Sequence, residues 1–361
     1  MTTTAPRILA LLSAESLQEE ALRLAAAAGC ELELCLDPGG ARLSWGSAPL
    51  VLLDDRAAQG CVVTGLPRRP GVVVLGEGPV GDEPWRSAVA VGAEHVVTLP
   101  EGERFLVHLM SEQQETSAGA GLVVAVLGGR GGAGASVLAA AVATAAVAEA
   151  HRCLLVDCDR LGGGLDLVLG AEDRAGLRWS GVALTGGRVA AGALREALPS
   201  ADARGLLTVL SCGRQESVPS AEAVAAVVDA GARGGEVVVC DLPRDPGPVT
   251  AAVLDRADLA VLVVPAEVRA CAAAAALVQA LGAHGAGLQL VVRGPAPGGL
   301  RAVDVGQALG LPLLTTMRPQ PGLGAALERG GLSETRRSPL FSAARQVLAA
   351  LETAGGRGWA A

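Results

Sequence analysis

The sequence predicts an α/β fold in both halves of the chain, with mainly parallel sheets. Short runs rich in Val, Leu and Ile alternate with Ala- and Leu-rich runs of helical length, the pattern of strands joined by crossover helices. Half of the residues are hydrophobic and 18% are charged, against about 25% charged in an average chain. That composition excludes a disordered protein. The length of 361 residues, at roughly 150 residues per domain, predicts two domains.

The first half contains five short apolar runs that predict strands. A helical run near 17–28 follows the first of them and stops at Gly29, a residue that commonly ends helices. The predicted strands are Ile8–Leu12, Glu31–Leu36, Leu50–Leu53, Val72–Leu75 and His95–Thr98. Helices between parallel strands predict a doubly wound sheet.

Residues 7–110 resemble a response-regulator receiver domain in length and strand order, and the segment Gly92–Pro100 supports the resemblance. Receiver chemistry requires an acidic pair after the first strand, an acceptor aspartate after the third and a lysine after the fifth. Asp54 follows the third predicted strand.

The other receiver positions differ from that pattern. Ser13 and Ala14 replace the metal-binding acids, and Leu99 replaces the lysine. Without a metal ion and a cation, phosphoryl transfer to Asp54 lacks charge stabilisation. We therefore predict a pseudo-receiver that serves for contacts, with a response regulator switched at Asp54 as the alternative.

The stretch Ser111–Gly121 is polar and then Gly-rich, which is typical of a linker. We accordingly predict a pseudo-receiver domain over residues 1–110, a linker over 111–121 and a second domain over 122–361.

The second half contains a longer series of apolar runs, which predicts a larger parallel sheet. The predicted strands are Leu122–Leu127, Cys153–Val156, Leu206–Leu210, Glu236–Cys240, Ala260–Val264 and Leu288–Val292, and a short apolar segment follows at Leu311–Leu314. A helix is predicted from about Leu340 to Leu351; because it has one Arg and no basic face, we expect it to pack on the core.

Residues 128–136, between the first of these strands and a helix, read GGRGGAGAS, with five glycines in nine positions. Such a loop at a helix N-terminus can direct backbone N–H groups at an anion, and Ser136 at the start of the helix can ligate Mg²⁺. A tight structural turn is the alternative explanation of the glycines.

Acidic residues follow two further strands, at the edge of the sheet where the loop is expected. Asp157 and Asp159 come after the second strand, and Asp241 comes after the fourth. Ligands of parallel sheets gather at the carboxyl ends of the strands. The ordered set therefore predicts a phosphate and metal site.

This set resembles the deviant Walker ATPases of the MinD/ParA superfamily over about residues 120–350, whose loop reads K-G-G-x-G-K-[ST]. The resemblance places Arg130 at the signature lysine, which reaches across a dimer to the partner's phosphates. It places Ala135 at the P-loop lysine and Ser136 at the Mg²⁺ position.

The same resemblance assigns roles to the acidic residues. It implies that Asp159 is a vestigial water-positioning residue and that Asp241 is the second metal ligand. The nucleotide contacts that it implies are Gly131, Gly132, Gly134, Ala135, Ser136 and Asp157.

A receiver-like domain in front of such a module resembles the CpaE/TadZ-like branch, and in particular its septum site-determining proteins. The segments LRWSGVALTGGR and VVRGPAPGGLRA carry this resemblance. It implies a cytoplasmic spatial regulator of septum placement in cell division. A localisation factor for pilus or secretion assembly and an active ATP-cycling ATPase stay open as alternatives.

The chain contains no lysine, since all 29 basic residues are Arg. Arg130 fits a general exchange of Lys for Arg, but Ala135 does not, because Ala is neutral and short. We therefore predict that ATP and Mg²⁺ bind weakly and that hydrolysis is very slow or absent.

The charge and hydropathy of the chain argue against nucleic-acid binding and against a membrane span. The net charge is −8, and the clearest basic group is Arg336, Arg337 and Arg345, so no specific nucleic-acid partner is expected. No apolar run reaches the roughly 18 residues of a membrane span, so membrane association is expected to be at most peripheral. We expect a homodimer with septal or polar assembly or secretion proteins as partners, recruited to the septum or pole.

Overall fold

A computed structural model describes residues 7–78, 82–117, 121–182, 189–213, 219–296, 298–329, 331–332 and 338–355. The chain divides into two compact units, Met1–Gly119 and Ala120–Ala361. Both units are α/β with parallel sheets, as predicted.

The first unit is a five-stranded parallel sheet in the order β2-β1-β3-β4-β5. Its strands are β1 Ile8–Leu11, β2 Leu32–Leu34, β3 Val51–Leu53, β4 Val72–Glu77 and β5 His95–Leu99. Its helices are α1 Glu15–Ala27, α2 Arg42–Trp45, α3 Asp55–Val63, α4 Asp82–Val91 and α5 Glu103–Ser117. Each of the five predicted strands is present, with ends that differ by three residues or fewer.

Helix α5 extends further than the sequence analysis expected, since it includes the first seven residues of the predicted linker, 111–117. Those residues contain no Gly or Pro and are rich in Glu and Gln, which favour helices. Leu106 and Met110 anchor the preceding turns of α5 in one apolar core of this unit. The helix therefore continues through polar sequence that reads locally as a loop.

The second unit is a seven-stranded parallel sheet in the order β12-β11-β10-β6-β9-β7-β8. Its strands are β6 Leu122–Gly128, β7 Cys153–Asp157, β8 Leu207–Leu210, β9 Val237–Leu242, β10 Leu259–Pro265, β11 Gln289–Arg293 and β12 Leu313–Met317. Its helices are α6 Ala135–Ala148, α7 Leu165–Leu169, α8 Ala191–Ala197, α9 Ala221–Arg233, α10 Pro248–Leu254, α11 Val268–Ala280, α12 Ala283–Ala286, α13 Ala302–Leu309, α14 Leu323–Leu327 and α15 Pro339–Ala354.

The centre of this sheet is buried on both faces, which explains why its strands are continuous apolar runs. Strand β6 is fully buried along its length and lies between β9 and β10. Helix α6 buries nine apolar residues against one face, and α15 packs beside it. Seven buried residues of α15, among them Phe341 and Leu348, confirm that this helix belongs to the core.

In the described part of the chain, every helix is too short or too polar to cross a membrane.

Candidate nucleotide site

Residues 129–134 connect β6 to α6 in a conformation that requires glycine. Gly132 has φ +69° and Gly134 has φ +100°, a left-handed region in which L side chains are strained. Gly134 is also the N-cap of α6. Because the helix begins directly after it, the first N–H groups of α6 have no intrahelical acceptor and can bind an anion.

A cavity of about 700 Å³ lies above this loop. Its walls are residues 130–137 and the residues that end or follow β9, β10, β11 and β12. The cavity thus occupies the carboxyl edge of the sheet, where ligands of open parallel sheets bind.

Ser136 and Asp241 meet at the floor of the cavity. The Ser136 hydroxyl donates a hydrogen bond to the Asp241 carboxylate, which is buried at the end of β9. The pKa of Asp241 is raised to about 7, mainly by burial; the Ser136 hydroxyl opposes this increase, and the nearby Asp157 and Asp159 charges add to it. A bound cation would favour the ionised carboxylate, and hydroxyl and carboxylate oxygens suit Mg²⁺. The residues present therefore fit a magnesium ion.

The two aspartates that follow β7 have different surroundings. Asp159 lines the cavity, and its Oδ1 accepts a hydrogen bond from Leu161 N at 3.0 Å. Asp157 is not among the described residues that line the cavity, although the sequence analysis assigned it a nucleotide contact. Its register partner in the sheet is Asp241.

The carboxylate of Asp157 holds the chain that surrounds it. Oδ1 accepts from Asp159 N at 3.1 Å, and Oδ2 accepts from Leu165 N at 3.1 Å and from Ser211 Oγ at 3.2 Å. Burial raises the pKa of Asp157, and these N–H donors partly offset that increase. Through these hydrogen bonds, Asp157 fixes the backbone of the loop that carries Asp159.

The segment Leu177–Ser180 supports the same loop. Trp179 is buried, and its Nε1 donates to the Asp157 carbonyl at 2.7 Å. Arg178 lies 3.5 Å from the buried Asp166 carboxylate. These contacts join residues 12 and 22 positions apart, so the local sequence does not reveal them.

Arg130 is paired within its own chain. Its Nη2 lies 3.1 and 3.0 Å from the two carboxylate oxygens of Glu267, and its Nη1 donates to Gly131 O at 3.1 Å. Its Nε is buried and has no hydrogen-bond partner among the described residues. Sequence reasoning missed Glu267; its position just after β10, at the edge of the cavity, was the available signal.

Ala135 contributes only a methyl group to the cavity wall, at the position where the resemblance expects lysine. Three further arginines line the cavity: Arg244, Arg293 and Arg318. Each lies at or within two residues of a strand end. Nothing in the sequence singled out Arg244 or Arg318, although the carboxyl ends of parallel strands share one edge of the sheet.

The receiver-like unit has a different polar centre around Asp54, which is the N-cap of α3. Its Oδ1 accepts from Ala57 N at 2.7 Å and from Ser13 Oγ at 3.3 Å. Its Oδ2 accepts from Ser13 N and from Ala14 N at 3.3 Å. The residues that replace the metal-binding acids thus bind the would-be acceptor Asp54, a residue that is only 6% exposed.

Some of the residues quoted in the sequence analysis lie outside the described residues. These include Arg336 and Arg337 of the basic group, residues 118–120 of the predicted linker, residues 183–188 of the segment that begins at Leu177, and Pro297 of the segment VVRGPAPGGLRA.

Solved structures of several ATPases have the fold of the second unit. A ParA family ATPase from Chlorobium tepidum TLS matches 62% of this chain and 96% of its own, with 16% identity and TM-score 0.56. MinD complexed with Mg-ADP from Pyrococcus horikoshii OT3 matches 65% of this chain and 97% of its own, with 17% identity and TM-score 0.52. MinD from Aquifex aeolicus matches 63% of this chain and 97% of its own, with 24% identity and TM-score 0.51.

The first unit matches a family model too. Residues 11–121 match the Rv3660c-like, CheY-like N-terminal domain. The fold and site thus define a two-unit protein, with a CheY-like unit followed by a unit of the MinD/ParA P-loop ATPase fold.

The chain is also 49% identical over 352 residues to the uncharacterized protein Rv3660c of Mycobacterium tuberculosis H37Rv, covering 96% of this chain and 98% of that protein. The chain belongs to the Rv3660c family.

Proposed function

We propose that this chain is a cytoplasmic spatial regulator of septum placement in cell division. In this proposal the second unit is a degenerate deviant Walker module that binds Mg-ATP, and the first is a pseudo-receiver that makes contacts. The ATPase fold and the CheY-like unit support the general type, and the septal role rests on the resemblance alone.

The observation that carries the nucleotide proposal is the combination of residues in one cavity. Ser136 and Asp241 supply oxygen ligands for Mg²⁺, and the loop supplies N–H groups for phosphates. Ala135 supplies no charge to a transferring phosphoryl group. Because enzymes accelerate that reaction mainly by positioning and charge stabilisation, we propose binding with very slow hydrolysis.

The proposal includes a homodimer in which Arg130 contacts the phosphates bound by the partner copy. Arg130 would have to leave Glu267 to do so. A partly exposed ion pair of this kind is worth roughly 0–1 kcal/mol, so bound phosphate can compete for the guanidinium.

Two other functions have specific support. Asp159 beside the cavity, together with Asp241, favours an ATPase that cycles on and off a surface. The CheY-like unit in front of the ATPase fold favours a CpaE/TadZ-like localisation factor for pilus or secretion assembly.

Separate assays of binding and hydrolysis test the nucleotide proposal. We expect the parent chain to bind Mg-ATP saturably but to release phosphate at a rate near background. Ala135→Lys restores the loop cation, and we expect it to increase the hydrolysis rate at saturating ATP. Hydrolysis by the parent chain as fast as by Ala135→Lys would support the cycling ATPase instead.

A further inference from the structure

The side chain of Arg293 lies close to the glycine-rich loop 128–136, which has Ala135 at the position of the P-loop lysine. Arg293 is the last residue of β11, two strands away from β6 in the sheet. Its Nη1 is 3.4 Å from the place where a Cβ on Gly134 would stand. The guanidinium therefore lies over the residue that precedes Ala135.

Arg293 differs from the other arginines of the cavity. Arg130 is occupied by Glu267, and Arg244 and Arg318 are exposed. Arg293 is half-buried, and its guanidinium has neither a hydrogen bond nor an ion pair with another described residue. A partly buried cation without a counter-ion beside a loop of free N–H groups favours an anionic ligand.

The backbone of Arg293 is held on both sides. Its carbonyl accepts from Ala266 N at 2.9 Å, and the next residue, Gly294, donates to Met317 O at 3.1 Å. The guanidinium thus projects from a fixed strand end, which reduces the entropy lost when it binds a ligand.

We propose that Arg293 supplies the phosphate-binding cation that the loop lacks at Ala135, and that its ligand is the phosphate chain of a nucleoside triphosphate. Guanidinium groups bind phosphate through two parallel N–H donors, so an arginine from a neighbouring strand replaces the charge of a loop lysine. This inference rests on the proposed nucleotide binding and names the residue on which that binding depends.

Calorimetric titration of the full chain with Mg-ATP, and separately with magnesium tripolyphosphate, tests the assignment. We expect Arg293→Ala to weaken both ligands by about tenfold or more, the range of a lost charge-assisted hydrogen bond. Arg174→Ala is the matched control, because it removes an exposed arginine outside the cavity and should leave both affinities unchanged. Ala135→Lys should increase the affinity more in the Arg293→Ala background than in the parent chain, because the two cations would serve the same phosphates; a merely structural role of Arg293 would give equal increases.

The outcomes separate this assignment from the proposed function. Binding by the parent chain that Arg293→Ala leaves unchanged would overturn the role of Arg293 and leave the nucleotide proposal standing. A loss with ATP but not with tripolyphosphate would also overturn it, since the contact would then be to the nucleoside. No binding of Mg-ATP by the parent chain at millimolar concentration would overturn both.

Discussion

At the scale of single residues, Asp54 has a structural role that its sequence position does not reveal. Its carboxylate caps α3 and accepts hydrogen bonds from Ser13, Ala14 and Ala57. A receiver that transfers phosphate needs this carboxylate accessible to a metal ion and a phosphoryl donor. The sequence shows the missing acids, but only the structure shows that their replacements bind the acceptor.

Replacing Asp54 should therefore destabilise the protein. We expect Asp54→Ala to lower the free energy of unfolding by about 2 kcal/mol or more, because it removes a helix cap and leaves buried N–H donors without acceptors. Asp55→Ala, at the next and half-buried position, should have a smaller effect. Chemical denaturation measures the free energy of unfolding of both variants. In a separate test, mass spectrometry of the parent chain after acetyl phosphate treatment should find no phosphate on Asp54. A phosphorylated Asp54 would favour the response-regulator alternative.

Asp241 predicts a pH dependence of stability in metal-free buffer. Its pKa is about 7 in the folded chain and near 3.8 in the unfolded chain. As pH rises from about 4 to 7, the unfolded state ionises while the folded state keeps its proton, so this residue makes folding less favourable; above 7 the effect is constant.

Asp241→Asn removes that titration and should preserve the shape of the site. The free energy of unfolding of this variant, relative to the parent chain, should rise between pH 4 and 7 and level off above 7. Asp173→Asn, an exposed carboxylate, is the control. A relative stability that is flat across this range would contradict the buried, proton-holding carboxylate.

At the scale of elements, local pattern was enough to predict nearly all of the sheet. The six predicted strands of the second unit are near-continuous apolar runs, because the centre of the sheet is buried on both faces, and their predicted ends lie within about two residues of the observed ones. The edge strand β12 is partly exposed, and the sequence showed only a short apolar segment there. The loop at 128–136 was predicted because positive φ angles and free N–H groups demand glycine. The supports of Asp157 could not be predicted, since Ser211 is 54 positions away.

The indole hydrogen bond of Trp179 predicts a local effect on the site. Trp179→Phe removes the donor to the Asp157 carbonyl and should lower the free energy of unfolding by about 1–3 kcal/mol. Because Asp157 positions Asp159, Mg-ATP affinity should also fall. Trp45→Phe removes the equivalent bond to Pro67 O in the other unit and is the matched control. Chemical denaturation and Mg-ATP titration of both variants measure these effects. If Trp45→Phe lowered the Mg-ATP affinity as much as Trp179→Phe, the proposed role of Trp179 would be contradicted.

At the scale of the whole molecule, the fold class and the presence of two units could be predicted from the sequence. Only some of the polar residues of the site could be predicted in the same way. Asp159 and Asp241 were predicted as site residues from the strand ends, and Ser136 from its position at the start of the helix after the glycine-rich loop. Arg244 and Arg318 were missed, since an arginine after a strand is common in a chain whose basic residues are all Arg.

We propose the domain boundaries near the division between the units. Residues 1–119 and 120–361, expressed separately, should each unfold in one cooperative transition, because each unit has its own apolar cores. The fragment 120–361 should bind Mg-ATP as the full chain does. A fragment 120–361 that aggregates, or that folds but binds no nucleotide, would contradict these boundaries.

Titration of the full chain with a fluorescent ATP analogue and Mg²⁺, combined with light scattering for molar mass, tests whether nucleotide binding drives dimerisation of this chain. We expect saturable binding, a doubling of the molar mass at saturation, and loss of the dimer in Arg130→Ala. No binding at millimolar nucleotide, or binding at unchanged mass, would contradict this expectation.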